Sequence, residues 1–309
     1  MKSFLRGFNR FSPQPSPSSS FAGSKDINIL DLCLVPGIAG NAEPFASNLC
    51  RLEDMTSTEY ANICKNELRE KPRTHRKQWE FAFIIYHLDR LGLLSLGKKG
   101  LGFGVGTEPL PAIFASKGCS ILATDAPIEA NDQSWTLTNQ HSTSIQQLCR
   151  PEIVDNQILY NYCSHQSLDM NRHDLIPCGY DFHWSSCVIE HLGSIQKGLS
   201  FIVDSCKKLE PGGVAVHTIE FNLSSNTDTL DQEGVCLFRR CDIDVLAKTL
   251  LENGLCLSPV TWDPGVHPFN YVYDLPPYKA YDHLKLLIEK YVCTSLGLII
   301  HKSPPLELG

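Results

Sequence analysis

The feature that most constrains this chain is a change of hydrophobic period at about residue 97. From Gln78 to Leu94 the apolar positions Phe81, Ile84, Ile85, Leu88 and Leu91 recur at steps of three and four, the spacing of one buried helical stripe, and Gly92 and Gly97 mark its end. Beyond it, short β-branched or apolar runs alternate with helical stretches. That alternation is the pattern of a parallel sheet with crossover helices. Strands are predicted near Gly100–Gly104, Ser120–Thr124, Ile158–Cys163, Tyr180–Ser185 and Gly213–Ile219, with helices between them. A last helix over Asp242–Asn253 is capped by Gly254, and strand segments follow at Leu255–Trp262 and Cys293–His301.

Composition narrows the class of molecule. The 309 residues fit one large α/β domain with additions or two modest domains, and 42% hydrophobic with 20% charged residues describes a folded globular chain. A net charge of −7 supplies no positive field for a polyanion, which argues against a dedicated nucleic-acid binder and favours a small or neutral partner. The 13 cysteines are odd in number and scattered, and no CxxC occurs, so a disulfide framework and a common zinc site are both poorly supported. A reducing, intracellular and cytoplasmic setting is the expectation. No apolar run approaches the roughly 20 residues needed to span a bilayer. Residues 1–11 place Phe4, Leu5, Phe8 and Phe11 among Lys2, Arg6 and Arg10, then give way to a Ser/Pro tract, without a secretory apolar region. A disordered leader over residues 1–25 is expected, with targeting or surface anchoring as the functional alternative.

The chemistry concentrates in five segments. In KGLGFGVGTEPLP, Gly102, Gly104 and Gly106 stand at every second position where the first strand turns toward its helix, so that backbone amides can approach a ligand. Neither GxGxxG register is complete, since the third position is Thr107 from Gly102 and Val105 from Gly100, and no GxxxxGK[ST] exists. A tight turn or a close strand crossing would use the same glycines. Asp125 ends SILATD, 19 residues after Gly106, where a strand-end carboxylate can accept from ribose hydroxyls. Asp169 and Met170 follow the third strand in SLDMN. After the fourth strand, YDFHWSSCVIEHLGS sets Ser185, Ser186, Glu190 and His191 at the sheet's carboxyl edge, and LEPGGVAVHTIEFN carries Glu220 and Asn222 to the tip of the fifth.

Taken together, the Gly-rich loop, Asp125, LDM at 168–170, FHWSSCVIEHL at 182–192 and LEPGGVAVHT at 209–218 resemble the class I S-adenosylmethionine-dependent methyltransferase family over about residues 98–302. The resemblance implies a Rossmann-like, seven-stranded, mostly parallel sheet in the order 3-2-1-4-5-7-6, its last strand antiparallel and matched here by YVCTSLGLIIHK, flanked by helices. It implies S-adenosyl-L-methionine as cofactor, with Gly102, Gly104 and Gly106 along the methionine part, Asp125 at the ribose, and Asp169 with Met170 at the adenine. Family members usually carry an acid two residues before the first glycine. Gly100 stands there instead, which leaves the cofactor's amino group to Glu108 or to the edge near Ser185. The implied domain plan is a leader at 1–25, an N-terminal helical extension at 26–97, a methyltransferase domain at 98–302 with insertions at 222–234 and 263–290, and a tail at 303–309.

The acceptor is less marked. Amino-directed members often show D/N-P-P-Y at the end of the fourth strand, where Ser185, Ser186 and Cys187 stand here, and DLPPY at 274–278 carries an extra Leu275 and reads as a Pro-stiffened loop. The Pro-Cys nucleophile of cytosine-C5 members is absent, so Cys187 reads as a packing thiol. A hydroxyl acceptor is the remaining expectation, and it needs a general base, for which His191, Glu220 and Glu190 are the candidates. His217, inside a strand, reads as a core histidine. Polar residues beside Trp262, Tyr271, Tyr273 and Tyr278 suit a small-molecule or glycan acceptor with several hydroxyls. A homodimer is compatible with the sequence. The rival readings are an NAD(P)-dependent oxidoreductase, which the broken GxGxxG argues against, and a catalytically silent member of the fold that binds or scaffolds.

Overall fold

The computed structural model describes residues 47–127, 141–279 and 282–303, so the expected leader and most of the tail lie outside the described residues. The chain begins there with strand β1 (Ser47–Leu49) and helices α1 (Leu52–Met55), α2 (Thr58–Asn66) and α3 (Arg76–Arg90). Five strands and three helices follow, alternating except between β4 and β5: β2 (Lys99–Phe103), α4 (Leu110–Ser116), β3 (Ser120–Asp125), α5 (Asn156–Tyr162), β4 (Cys163–Ser167), β5 (Tyr180–Ser186), α6 (Ile195–Lys207) and β6 (Leu209–Asn222). A short hairpin, β7 (Asp231–Gln232) and β8 (Val235–Cys236), precedes α7 (Arg240–Glu252). The chain closes with β9 (Leu255–Leu257), β10 (Val260–Thr261), β11 (Leu286–Ile288) and β12 (Tyr291–Lys302).

The sheet is mixed and mostly parallel. Its centre runs β4-β3-β2-β5-β6, all parallel, and β12 lies antiparallel on β6 from Cys293 opposite Asn222 to His301 opposite Val214. β9 pairs antiparallel with the end of β12, so it runs parallel to β6 and takes the outer place that the resemblance implied. One departure follows from Pro259. With no N–H to continue the ladder, the strand leaves β12 after Leu257, and β1 wedges between them, antiparallel to β12 and parallel to β10. Ser47 Oγ accepts from the Ile299 N–H (3.0 Å), while the Ser47 N–H donates to the Pro259 carbonyl (2.9 Å). The segment expected as a purely helical extension therefore adds a strand to the sheet.

A second correction concerns residues 158–163, where the sequence pattern predicts a strand. All but Cys163 belong to α5, which Asp155 caps by accepting from the Gln157 N–H (2.8 Å), and the strand is Cys163–Ser167. β4 is an edge strand with three of its five residues exposed, so it lacks the apolar run that marks the central strands. The two faces of the sheet carry separate cores. Trp79, Phe83, Phe114, Phe182 and Trp184 pack under α3 and α4, and Phe103, Phe201, Ile202, Leu246 and Leu250 under α6 and α7. Alternation along β5 sends Phe182 and Trp184 to the first face and His183 and Ser185 to the second. Among the described residues no helix is long and apolar enough to cross a membrane, every cysteine is a free thiol, and no group of His, Cys, Asp and Glu is placed to hold a metal ion.

Candidate functional site

The glycines of the first loop are accounted for largely by packing. A Cβ on Gly102 would stand 2.3 Å from the Trp184 ring, one on Gly100 2.3 Å from Phe182, and one on Gly104 2.4 Å from Val188. Two large aromatic side chains on β5 thus fill the space that β2 leaves empty. Gly102→Ala is expected to lower stability by about 1–3 kcal/mol through overpacking, whether or not a cofactor is present. Calorimetry of the ligand-free protein checks this, and an unchanged melting temperature would mean that the Trp184 ring yields easily. Gly104 and Gly106 have positive φ (57° and 51°), the backbone turn that carries the chain from β2 toward α4.

Asp125 ties that turn to the tip of β3. Its Oδ2 accepts from the Gly106 N–H (3.0 Å) and from the N–H and hydroxyl of Ser142 (2.9 and 3.2 Å), and its Oδ1 accepts from the Ala126 N–H (2.8 Å). Ser142 is held in turn by His165 Nε2 (3.0 Å) on β4. The loop from β2, the end of β3 and the edge strand are therefore one hydrogen-bonded unit at the carboxyl edge, beside the seam between β2 and β5 where the strand order reverses. Glu108 is buried next to it and accepts from Trp184 Nε1 (2.7 Å). Burial raises its carboxyl to about 8, against the pull of that hydrogen bond.

A second polar group, in which residues of α3 meet the sequence candidates Ser186, Glu190 and Glu220, lies at the tips of β5, β6 and β12 under the first turn of α3. Arg76 donates to Glu220 Oε1 (2.5 Å), and both side chains are about 5% exposed. Lys77 donates to Glu80 Oε2 (2.5 Å) and to the Ser186 hydroxyl (3.3 Å), while Ser186 and Ser295 donate to Glu80 (3.0 and 2.6 Å). Burial opposes charge on Glu80, yet Lys77 and Arg76 hold it at about 2. Glu190 is 2% exposed, and its Oε2 meets no partner among the described residues. Burial first, and then the nearby Glu220, raise it to about 8. Cys187 sits between these groups at φ 49°, held by its N–H on Thr218, and burial lifts its thiol far above the ordinary range.

The structure distributes the sequence candidates unevenly. Asp125, Gly106 and Glu108 share one corner, and Glu190 and Glu220 share the other. Ser185 faces the opposite side of β5, its hydroxyl 2.8 Å from His217 Nδ1, so Ser186 is the hydroxyl at the charged cluster. Burial lowers His217 to about 3. His191 Nδ1 lies 2.8 Å from the Gly234 carbonyl, and burial lowers its ring below the usual range. Asp169 closes a local turn by accepting from the Asn171 N–H (2.9 Å), and Met170 packs in the core beneath α6. Sequence reasoning misses Arg76 and Lys77, because the apolar period starts the helix at Gln78, and it passes over Glu80 inside that helix. A signal exists: Glu80 stands in register with Ile84 and Leu88, a charge at i, i+4 and i+8 of the buried face.

No protein-family model matches the chain, and no curated protein matches it. Solved structures do. The magnesium protoporphyrin IX methyltransferase of Synechocystis PCC 6803 with bound SAH is 11% identical, covers 81% of this chain and 100% of its own, and superposes with a TM-score of 0.44. An O-methyltransferase family protein from Burkholderia thailandensis is 10% identical over 82% of this chain and 68% of its own, with a TM-score of 0.40. TehB from Haemophilus influenzae is 13% identical over 70% and 60%, also with a TM-score of 0.40.

Proposed function

We propose that this chain is an S-adenosylmethionine-dependent methyltransferase that methylates a hydroxyl of a small-molecule or glycan acceptor. The observation that carries this reading is the Asp125 unit: a carboxylate at the tip of β3 bonded to the Gly106 amide after β2, next to the β2–β5 seam where the strand order reverses and open α/β sheets bind ligands. Asp125 Oδ1 accepts from the Ala126 N–H, with His141 Nε2 4.0 Å away, and in this reading it also accepts from a ribose hydroxyl. In this reading Asp125 holds the ribose, Asp169 and Met170 lie at the adenine, Glu108 meets the amino group, and Gly104 and Gly106 line the methionine part. The aromatic packing of Gly102 and the Ser185–His217 bond turn those two residues to structural work. When bound, the cofactor supplies a methyl group on a sulfonium. The chain's own task is to align the acceptor oxygen with it and keep water out, an arrangement able to contribute roughly 7–11 kcal/mol.

Glu190 and Glu220 shape the acceptor side, but neither is a ready base near neutral pH. Glu190 keeps its proton and Glu220 is paired with Arg76. His191 is neutral there, with a carbonyl at Nδ1 that leaves Nε2 as the lone-pair nitrogen. Asp125→Asn tests the cofactor reading. It is expected to weaken S-adenosylhomocysteine binding ten- to a hundredfold in calorimetry, the loss of about 1.5–3 kcal/mol from a hydrogen bond to a charged group. Binding as tight as wild type would overturn the ribose assignment, and tighter binding of NADH would favour the oxidoreductase.

A further inference from the structure

Away from the Asp125 corner and the Glu80 cluster, one pair of side chains has the form of an oriented base. His283 Nδ1 lies 3.0 Å from Asp274 Oδ2, with both residues buried (2% and 8% exposed). A carboxylate can only accept, so Nδ1 carries the proton and Nε2 is left with the lone pair. Asp274 is itself fixed from other sides, accepting from the N–H groups of Leu275 (3.0 Å) and Lys279 (2.5 Å). The His283 ring stacks on His75 with centroids 5.0 Å apart, and the Tyr278 ring stands 5.7 Å away. Backbone bonds lock this segment to the start of α3: the Arg76 N–H donates to the His283 carbonyl (2.9 Å) and the His283 N–H to the Thr74 carbonyl (2.8 Å). The same turn of α3 sends Arg76 onto Glu220 at the tip of β6 and Lys77 onto Ser186 at the tip of β5. The 263–290 insertion thereby delivers the dyad to the carboxyl edge of the sheet.

We propose that His283, oriented by Asp274, is the general base that takes the proton from the acceptor hydroxyl, and that His191 is not. This rests on the methyltransferase reading. The acceptor O–H bond breaks with its electron pair left on oxygen, and that pair forms the bond to the methyl carbon. The C–S pair returns to sulfur, and the proton ends on Nε2 of His283, where the Asp274 carboxylate stabilises the imidazolium. The charged and titratable groups facing the ring are Asp274 on its own loop, His75 at the N-cap of α3, Arg76 in its first turn, Tyr278, and Glu220 on β6. Burial, then Arg76, keeps the ring neutral around pH 7, against the pull of Asp274.

The test has two arms. The first uses histidine-labelled protein without cofactor: nitrogen-detected NMR is expected to show His283 as the Nδ1–H tautomer at pH 7, and Asp274→Asn is expected to remove that preference. An Nε2–H tautomer or an imidazolium at pH 7 overturns the proposal. The second arm measures transfer of labelled methyl to the best of a panel of monosaccharides, inositols and catechols. His283→Gln is expected to lower kcat at least a hundredfold and abolish the acid limb of the pH profile. KM, melting temperature and S-adenosylhomocysteine affinity should stay within about twofold or a few degrees. A full-rate His283→Gln enzyme, or an acid limb that moves only with His191→Gln, overturns the proposal. Loss of S-adenosylhomocysteine binding by the wild-type protein would instead remove the underlying reading, whatever the state of His283. Asp274→Glu, which restores a carboxylate, is expected to recover more rate than Asp274→Asn. If the two are equal, Asp274 does not position the ring.

Discussion

Arg76→Met is expected to destabilise the protein by about 3–5 kcal/mol, since it strands the Glu220 carboxylate where water does not reach. For a folded unit of this size, that corresponds to a fall in melting temperature of roughly 10 °C. The double variant Arg76→Met with Glu220→Gln should recover part of the loss, since an uncharged pair leaves no lone charge buried, and the departure from additivity measures the coupling. Glu80 also feels Arg76, so the recovery should be incomplete. A single variant that melts within about 2 °C of wild type would show that solvent reaches the pair and that the cluster at the tips of β5 and β6 is open.

The second large effect is a stability profile bounded on both sides by buried titratable groups. His75 and His217 are lowered to about 3, and His183 and His283 are also lowered, in each case first by burial. These rings are neutral in the folded chain and charged in the unfolded one below about pH 6.5, so stability is lost as pH falls from 6.5 toward 3. Glu108 and Glu190 behave oppositely. Raised to about 8, they stay protonated in the fold while the unfolded chain ionises them above about 4.5, so stability is lost as pH rises from 4.5 to 8. The melting temperature should therefore peak at mildly acid to neutral pH and fall steeply below it. Glu190→Gln is expected to be nearly neutral at pH 5, where it mimics the protonated acid. At pH 9 it should stabilise by more than about 1 kcal/mol, because every tenfold difference in proton affinity between the folded and unfolded chain is worth about 1.4 kcal/mol. Melting curves across pH 3–9 check both statements. A Glu190→Gln variant that gains nothing at pH 9 would mean that Glu190 ionises freely in the folded state.

How much of this is readable in the chain can be seen element by element. The central strands announce themselves because they are buried on both faces and so become continuous apolar runs, as in SILATD and VAVHTIEF. β4 does not, because one edge and most of its side chains meet solvent, and Leu159, the one fully buried residue of α5, lends the preceding helix the look of a strand. β1 is three residues long and is invisible without Pro259, 212 positions away, whose missing N–H opens the gap it fills.

The same division holds at the site. Local sequence carries Asp125, Glu190 and Glu220 to the sheet's carboxyl edge, because residues that end strands in a parallel sheet must emerge there. It could not say what meets them. Gly102 looks like a ligand's clearance and is Trp184's, since the partner that fills a missing Cβ comes from a neighbouring strand 82 residues later. Arg76 on Glu220 and His75 on His283 join segments 144 and 208 residues apart, and such pairs leave no periodic trace in either segment. By itself the sequence determined the alternation of elements, the strand tips and the acids on them, all of which follow from local period and turn chemistry. Only the tertiary structure decided which charges are buried together, which carboxyls keep their protons and which histidine is oriented, because burial and pairing depend on distances across the fold and not along the chain.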